Sequence, residues 1–337
     1  LATNLLSTIL FALMLVATYE LRGGAARLET SIFAAKPPEV ARFRLTTRRV
    51  AIVGVTGLVL SAFTGVCLIR TIRADQAVAV IAHRGASASA PENTLASLQA
   101  AIDQGADWVE IDVQETADGE VVVFHDSDFM KLAGNPLKIW DATTADLEAI
   151  DIGSSFSFEY RNERVPRLAD ALELCGGRVG VLIELKYYGH DVRLEQRVLD
   201  QVENSGTQSQ VMYMSLKAPA VEKLKALAPQ VEAGILMSVA AGDLKQTPAD
   251  FLAINAGFVN RRVVKEAHSQ DRLVYVWTIN DALTMSRMIG LGVDGVITDN
   301  PALARSVIRE RGQLEPTARL LLELADLFGL QHKAVGQ

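Results

Sequence analysis

Cysteine is scarce in this sequence, with two residues, Cys67 and Cys175, among 337. One lies in an apolar run and the other far away along the chain, so we expect neither a disulfide framework nor a thiolate metal site. Positive charge is not in excess either, because the formal net charge is −7 and the isoelectric point is about 5.4. This balance gives no support to a nucleic-acid-binding surface, and nucleic acid is not an expected partner.

Glycine-rich nucleotide-binding motifs are missing from the places where they would act. Neither G-x-G-x-x-G nor G-x-x-x-x-G-K follows any strand-like segment of the chain. Both motifs need a preceding strand to present the phosphate to the start of a helix. The sequence therefore argues against a dinucleotide-binding fold and against a P-loop fold.

Two apolar segments are present in the N-terminal quarter. Residues 50–69 carry no charge, and at about 1.5 Å per residue such a run is long enough to cross a hydrocarbon core of about 30 Å. Residues 5–19 form a shorter run that predicts a second span. We therefore predict a membrane region over residues 1–75 with one or two transmembrane helices. Because the chain begins at Leu1 rather than at Met, we also expect it to be part of a longer protein.

Basic residues are concentrated between these two segments. The loop of residues 20–49 contains seven of them: Arg22, Arg27, Lys36, Arg42, Arg44, Arg48 and Arg49. Only Arg70 and Arg73 follow the second segment before the next strand-like run. Since cytoplasmic loops are enriched in lysine and arginine, this asymmetry places the loop in the cytoplasm and everything after Ile72 outside. We expect an integral protein of the cell membrane with an extracytoplasmic globular domain.

The rest of the chain alternates between strand-like and helix-like segments. The predicted strands are residues 78–82, 108–113, 179–185, 211–215, 232–236, 251–255, 272–278 and 295–298. The predicted helices are residues 93–104, 168–174, 192–203, 219–227, 261–269, 282–289 and 301–309. Eight strands separated by helices predict a (β/α)8 TIM barrel over residues 76–312 rather than an open doubly wound sheet.

Two segments depart from this alternation. Residues 127–167 are polar and aromatic and predict an insertion over the mouth of the barrel. Residues 313–337 are predicted to form an amphipathic C-terminal helix and tail, which either packs on the barrel or lies at the membrane surface.

Three carboxylates are the candidate metal ligands. Glu110 and Asp112 are two residues apart on a strand-like run, so their side chains leave the same face. Glu184 comes from a following strand, and active sites of barrels lie at the C-terminal ends of the strands. Hard oxygen ligands without cysteine suit Mg²⁺ or Ca²⁺ better than zinc. The alternative for each residue is a solvated carboxylate at a strand end.

Charged partners accompany two of the five histidines of the chain. His83 precedes Arg84, and His125 precedes Asp126. Imidazoles that titrate near neutral pH suit general acid–base catalysis, although a structural role or metal ligation is the alternative for each.

Candidate anion-binding and supporting residues lie close to these groups. Arg84 and Lys186 suit phosphate, although a structural salt bridge to a neighbouring carboxylate is compatible with that role. Glu92 and Asn93 stand where a helix begins, so Asn93 or the following threonine is expected to cap it and Glu92 to orient a neighbour. Trp277 ends a strand and is expected either to form an apolar wall for a small polyol or acyl group or to pack in the barrel.

Together these residues resemble the glycerophosphodiester phosphodiesterase family. The matching motifs run in family order: His83-Arg84-Gly85, Pro91-Glu92-Asn93-Thr94, Glu110-Ile111-Asp112-Val113, His125-Asp126, Glu184-Leu185-Lys186, Trp277-Thr278-Ile279-Asn280 and residues 292–301. One departure follows Asp126, where many members have an Asp-Arg-Thr-Thr-like stretch and this chain has Ser127-Asp128-Phe129-Met130-Lys131. The departure affects the leaving-group pocket and so leaves the favoured alcohol open.

The resemblance implies a membrane-anchored enzyme that hydrolyses glycerophosphodiesters to sn-glycerol 3-phosphate and an alcohol. It implies that Glu110, Asp112 and Glu184 hold a divalent cation. It also implies that His83 and His125 act as acid and base, and that Arg84 and Lys186 contact the phosphate. Two alternatives remain open. One is a lysophospholipase D-like or other phospholipid phosphodiesterase on the same barrel, and the other is a non-catalytic, membrane-tethered binding domain.

Overall fold

Eight parallel strands form a closed barrel in the computed structural model, which describes residues 56–57, 78–238, 248–314 and 318. The barrel strands are β1 (Ala79–Ala82), β2 (Trp108–Glu115), β6 (Gly180–Leu185), β7 (Val211–Ser215), β8 (Glu232–Met237), β9 (Phe251–Asn255), β10 (Leu273–Trp277) and β11 (Gly295–Thr298). Each pairs in parallel with its neighbours, and β1 closes the ring by pairing with both β11 and β2. The predicted (β/α)8 barrel is confirmed.

Helices follow the strands as the alternating pattern predicts. They are α1 (Leu95–Asp103), α2 (Met130–Ala133), α3 (Thr144–Glu148), α4 (Leu168–Cys175), α5 (Leu194–Ser205), α6 (Ala218–Leu227), α7 (Arg261–His268), α8 (Ala282–Leu291) and α9 (Pro301–Gln313). At the start of α1, Thr94 is the N-cap and forms a capping box with Ser97. Asn93 has a left-handed φ of 56° and takes no part in the cap.

The apolar core has an inner and an outer layer. The inner cluster is drawn from strands alone: Ile81, Leu182, Met212, Met214, Leu236, Phe251, Ala253, Tyr275 and Ile297. Glycines make room for its rings, since a Cβ added at Gly234 would lie 2.1 Å from the ring of Phe251. Two outer clusters combine the opposite faces of the strands with the buried faces of the helices, as alternation along each strand requires.

Aspartates stabilise the N-terminal ends of the strands. Three of them stand directly before β2, β9 and β11, and each accepts a hydrogen bond of 2.7–2.8 Å from a backbone N–H of the preceding barrel strand: Asp107 from Val80, Asp250 from Ala233 and Asp294 from Val274. Each also pairs with a cationic side chain or a histidine, respectively Arg305, Lys225 and His268. These carboxylates are therefore occupied by structural contacts at the end of the barrel opposite to the predicted site.

The segment between β2 and α4 departs from the barrel pattern. Strand β3 (Val121–Val123) runs antiparallel to β2, and the short strands β4 (Asp128–Phe129) and β5 (Asn135–Lys138) form a separate hairpin. Together with α2 and α3 they cover an apolar cluster of their own: Val122, Phe124, Phe129, Ile139, Ala142, Leu147, Ile150, Ile152 and Val165. Apart from β3, these elements lie within residues 127–167, the segment that the sequence predicts as an insertion.

The predicted spans at 5–19 and 50–69 and the basic loop between them lie outside the described residues, apart from Thr56 and Gly57. Within the part of the chain that the structure describes, no helix combines the length and the apolar character needed to cross a bilayer. Of the predicted C-terminal helix and tail, the structure describes the last residue of α9, Leu314 and Ala318.

Candidate active site

The C-terminal ends of the barrel strands surround a cavity of about 120 Å³. Residues that follow β1, β3, β6 and β7 and side chains within six of the barrel strands line it: His83, Arg84, Glu110, His125, Glu184, Lys186, Met214, Leu216, Leu236, Trp277 and Ile297. One side of the cavity is ionic and the other is apolar. The structure thus brings together both histidines, both candidate anion-binding residues, two of the three candidate metal ligands and Trp277.

The three carboxylates form a buried cluster. One oxygen of each of Glu110, Asp112 and Glu184 lies within 4.8 Å of the others. Asp112 stands directly opposite Glu184 in the parallel register of β2 and β6, and Glu110 projects from the same face of β2 two residues earlier. The side chains meet because both strands direct this face into the barrel.

The cluster carries more negative charge than its surroundings neutralise. Burial raises the pKa of Glu110 well above its usual range, and the charges of Asp112 and Glu184 raise it further. Burial, again with a contribution from Asp112, raises the pKa of Glu184 to about 7. Burial also acts to raise the pKa of Asp112, but the charges of Lys186 and Arg84 outweigh it and the pKa is lowered.

These residues fit a divalent cation. Asp112 Oδ1 is buried and receives no hydrogen bond from the described residues, although an oxygen in that position normally has a partner. The oxygens of the cluster are hard ligands, and the cluster contains neither cysteine nor histidine. Such a donor set suits Mg²⁺ or Ca²⁺. A cation there would also relieve the repulsion that raises the two glutamate pKa values.

Arg84 is fixed from three directions at the edge of this cluster. Its backbone N–H donates to Glu110 Oε2 at 2.8 Å, its Nη1 donates to Glu92 Oε1 at 3.0 Å, and its Nε lies 3.3 Å from Asp112 Oδ2. Arg84 has a φ of 54°, and at the next residue, Gly85, a Cβ would lie 2.4 Å from a side-chain oxygen of α1. The turn after β1 therefore requires glycine and directs the guanidinium toward the cavity.

Lys186 and Asn93 complete the contacts around the carboxylates. Lys186 Nζ donates to Glu184 Oε1 at 2.9 Å and lies 3.5 Å from Asp112 Oδ1. Asn93 Nδ2 donates to Asp112 Oδ2 at 2.9 Å and its Oδ1 accepts from the Asp112 backbone N–H at 3.3 Å. Asn93 is thus a supporting residue of the carboxylate cluster and not a helix cap.

Each histidine of the site is held by an aspartate. His83 Nδ1 lies 2.7 Å from Asp299 Oδ1, and His125 Nδ1 lies 2.7 Å from Asp126 Oδ1. A proton on Nδ1 would satisfy each carboxylate and leave Nε2 as the reactive nitrogen, an assignment that follows from the hydrogen-bond network. Burial lowers the pKa of His125, although the negative charge of Asp112 opposes this.

Two residues beside the site were given no role in the sequence analysis, Lys131 and Asp299. Lys131 contacts Glu92 from the inserted segment, and Asp299 holds His83 from the end of β11. The position of Asp299 directly after a strand could have indicated a role in the site, but nothing in the sequence indicates one for Lys131.

Trp277 lies on the apolar side of the cavity. Its Nε1 donates to the carbonyl of Ala253 at 3.0 Å, which fixes the indole ring there.

The fold and this site define a (β/α)8 barrel whose ionic site combines carboxylates, histidines and two basic side chains, as in a barrel enzyme. The sequence model of the glycerophosphoryl diester phosphodiesterase family matches residues 83–303. The chain belongs to this family, and its enzyme class is that of the glycerophosphodiester phosphodiesterases.

Individual relatives agree with this assignment. A glycerophosphodiester phosphodiesterase of Bacillus altitudinis is 30% identical over 240 residues, which cover 68% of this chain and 98% of the relative. One from Caldanaerobacter subterraneus is 29% identical over 243 residues, covering 69% and 98% respectively. Among solved structures, a phosphodiesterase of Oleispira antarctica in complex with the product sn-glycerol-3-phosphate has a TM-score of 0.66 and 32% identity, covering 68% of this chain and 96% of that one.

Proposed function

We propose that this protein hydrolyses glycerophosphodiesters to sn-glycerol 3-phosphate and an alcohol, with a divalent cation and two histidines as its catalytic groups. The observation that carries the proposal is the buried cluster of Glu110, Asp112 and Glu184 beside two aspartate-held histidines. The Oleispira antarctica relative, whose complex holds sn-glycerol-3-phosphate, supports the same product here.

The three carboxylates would hold Mg²⁺ or Ca²⁺, which supplies Lewis-acid stabilisation of charge on the phosphoryl group. Arg84 and Lys186 bind the phosphoryl oxygens and offset the charge that grows on them. Their own positive charge is secured by neighbouring carboxylates: despite burial, Asp112 chiefly keeps the pKa of both side chains above its ordinary value. Both remain cationic throughout the neutral range.

His83 and His125 move the protons. One Nε2 takes the proton of the attacking hydroxyl, which we infer to be the 2-hydroxyl of the substrate's glycerol, as its oxygen forms a bond to phosphorus. The other imidazolium gives its proton to the alkoxide that leaves as the second P–O bond breaks. Water then opens the resulting cyclic phosphate with the two proton transfers reversed, so one water is consumed for each diester cleaved.

Release of sn-glycerol 3-phosphate from glycerophosphocholine tests this function directly. We expect activity that EDTA abolishes and that Mg²⁺ or Ca²⁺ restores. His83→Ala and His125→Ala should each lower kcat by about 10²-fold or more, since general acid–base groups contribute at that level. Both variants should bind the cation as the wild type does, measured by calorimetry. Full turnover by either variant, or by the chelated enzyme, would contradict the mechanism.

The apolar side of the cavity favours a second candidate, cleavage of lysophospholipids by the same groups. Met214, Leu236, Trp277 and Ile297 form that side, and Leu216 at its edge is 46% exposed. Comparing kcat/KM for glycerophosphocholine and for a lysophosphatidylcholine separates the two substrates. Turnover of either substrate also excludes the third alternative, a non-catalytic binding domain.

The proposed location is the cell membrane, with the barrel on the extracytoplasmic side. The uncharged segment at 50–69 and the basic loop before it support this topology. Protease added to intact cells should cleave the barrel domain, whereas protection in intact cells together with cleavage after lysis would place the barrel in the cytoplasm.

A further inference from the structure

A lysine of the inserted segment reaches the ionic side of the site. Lys131 lies on α2, and its Nζ is 2.9 Å from Oε1 and 2.8 Å from Oε2 of Glu92. Glu92 comes from the loop between β1 and α1, 39 residues away along the chain. The contact therefore joins the insertion to the loop that carries His83 and Arg84.

Glu92 is shared between two cations. Its Oε1 also accepts from Arg84 Nη1 at 3.0 Å, while Arg84 Nε faces Asp112 Oδ2 at 3.3 Å on the other side. The side chains of Arg84 and Glu92 are 16% and 21% exposed, but that of Lys131 is 53% exposed. Lys131 is thus the outer end of a chain of alternating charges whose inner end is the carboxylate cluster.

We propose that Lys131 is a positioning residue for phosphate binding, acting through Glu92 on the guanidinium of Arg84. The proposal rests on the proposed function of the site. Lys131 itself does not line the cavity, so its effect on the substrate is transmitted through the orientation and the charge of its neighbours.

The physical argument concerns the charge balance of Glu92. With Lys131 present, the Glu92 carboxylate pairs with two cations. Its negative charge is then balanced by Lys131 as well as by Arg84, so Arg84 keeps positive charge available for the substrate. Without Lys131, Glu92 pairs with Arg84 alone, which holds the guanidinium away from the substrate and adds an uncompensated negative charge near an anion-binding site. A phosphodiester is an anion, so its binding weakens, whereas the histidines and their proton transfers are left in place.

The test compares Lys131→Met and Lys131→Arg with a matched control, Lys138→Met. Lys138 belongs to the same insertion and pairs with Asp128, but it has no contact with Glu92 or Arg84. We expect Lys131→Met to raise KM for glycerophosphocholine about fivefold, with kcat within about twofold of the wild type, since a half-exposed charge acts at this level. The dissociation constant of sn-glycerol 3-phosphate, measured by calorimetry, should rise by a similar factor.

Two further comparisons decide how Lys131 acts. Lys131→Arg should restore binding, because arginine keeps the charge and can reach the same carboxylate, and Lys138→Met should behave as the wild type. In a Glu92→Gln background, Lys131→Met should have no additional effect, since residue 92 then has no negative charge for Lys131 to balance.

An equal effect of Lys131→Met and Lys138→Met, or an undiminished effect in the Glu92→Gln background, would overturn the proposal. A wild-type protein that binds sn-glycerol 3-phosphate without turnover would instead contradict the proposed function, and the affinity comparison would still test Lys131.

Discussion

At the scale of single residues, the two histidines of the site differ in how firmly they are held. His125 depends on the adjacent Asp126, whereas the partner of His83 is Asp299, 216 residues away. Asp299 also accepts hydrogen bonds from Ser87 and Asn280. Burial acts to raise the pKa of Asp299, but the hydrogen bond from His83 is the main cause that keeps it lowered, so Asp299 stays ionised. The orientation of His83 is therefore set by the closure of the barrel between β1 and β11.

Replacing Asp299 should impair catalysis more than binding. In Asp299→Asn the imidazole of His83 loses a charged partner and its fixed orientation, so we expect kcat to fall about tenfold to 100-fold with KM little changed. Steady-state kinetics with glycerophosphocholine measure the split. The matched control is Asp281→Asn, because Asp281 directly follows Asn280, a partner of Asp299, and is itself the N-cap of α8, where it accepts from the Thr284 N–H. Equal losses in the two variants would show that Asp299 acts on the fold and not on His83.

Strand periodicity explains which of these residues could be found from the sequence. Glu110 and Asp112 are two apart on an otherwise apolar run, and that spacing alone places them on one face. Lys131 lies on a helix of four residues, and its partner is remote in sequence. Neither strand nor helix periodicity in the sequence could therefore have indicated its contact with the site. Asn93 was expected as a possible cap because its residue type favours caps, but its side chain is engaged by Asp112.

At the scale of elements, the strands were the most predictable part of the fold. Most residues of each strand are apolar and polar residues flank them, so predicted and observed ends agree within about two residues. Position relative to the strand also separates two classes of aspartate. Asp107, Asp250 and Asp294 precede strands and bind backbone N–H groups, whereas Asp299 follows a strand and reaches the site. The hairpin and short helices of the insertion have no such period, because their cluster is built from scattered single residues.

Packing inside the barrel gives a stability prediction at this scale. Gly234 lies under the ring of Phe251, where a Cβ would come within 2.1 Å of a ring carbon. Both residues lie on neighbouring strands of the barrel, so neither backbone can move away to make room for the methyl group. Gly234→Ala should therefore lower the free energy of unfolding by about 1–3 kcal/mol. Urea denaturation followed by circular dichroism measures this loss. Gly312→Ala, at an exposed position of α9 where a Cβ meets nothing within 4 Å, is the control and should leave stability unchanged or slightly increased. A loss of the same size there would contradict the steric explanation.

At the scale of the whole molecule, we expect the carboxylate cluster to couple folding to pH and to the proposed cation. Glu110 and Glu184 have raised pKa values because burial, and then the negative charge of Asp112, disfavour their charged forms. A carboxyl whose pKa is higher in the folded chain than in the unfolded chain stabilises the fold fully below the unfolded value. That stabilisation is lost as the pH rises through the folded value, and for Glu184 the window runs from 4.5 to about 7.

The contribution of the carboxylate cluster to the stability of the metal-free protein should therefore fall between about pH 4.5 and pH 7, and the stabilisation by Mg²⁺ or Ca²⁺ should grow over the same range. Thermal unfolding in EDTA and in excess cation, at matched ionic strength, measures both trends.

The Glu184→Gln variant tests whether the cluster causes these trends, because the amide removes a repelling charge together with a ligand. We expect this variant to have a flatter pH dependence in EDTA than the wild type and a weaker response to the cation. A difference between the two conditions that stays constant from pH 4.5 to about pH 7, or a variant that follows the wild type throughout, would show that the carboxylate cluster does not govern either effect.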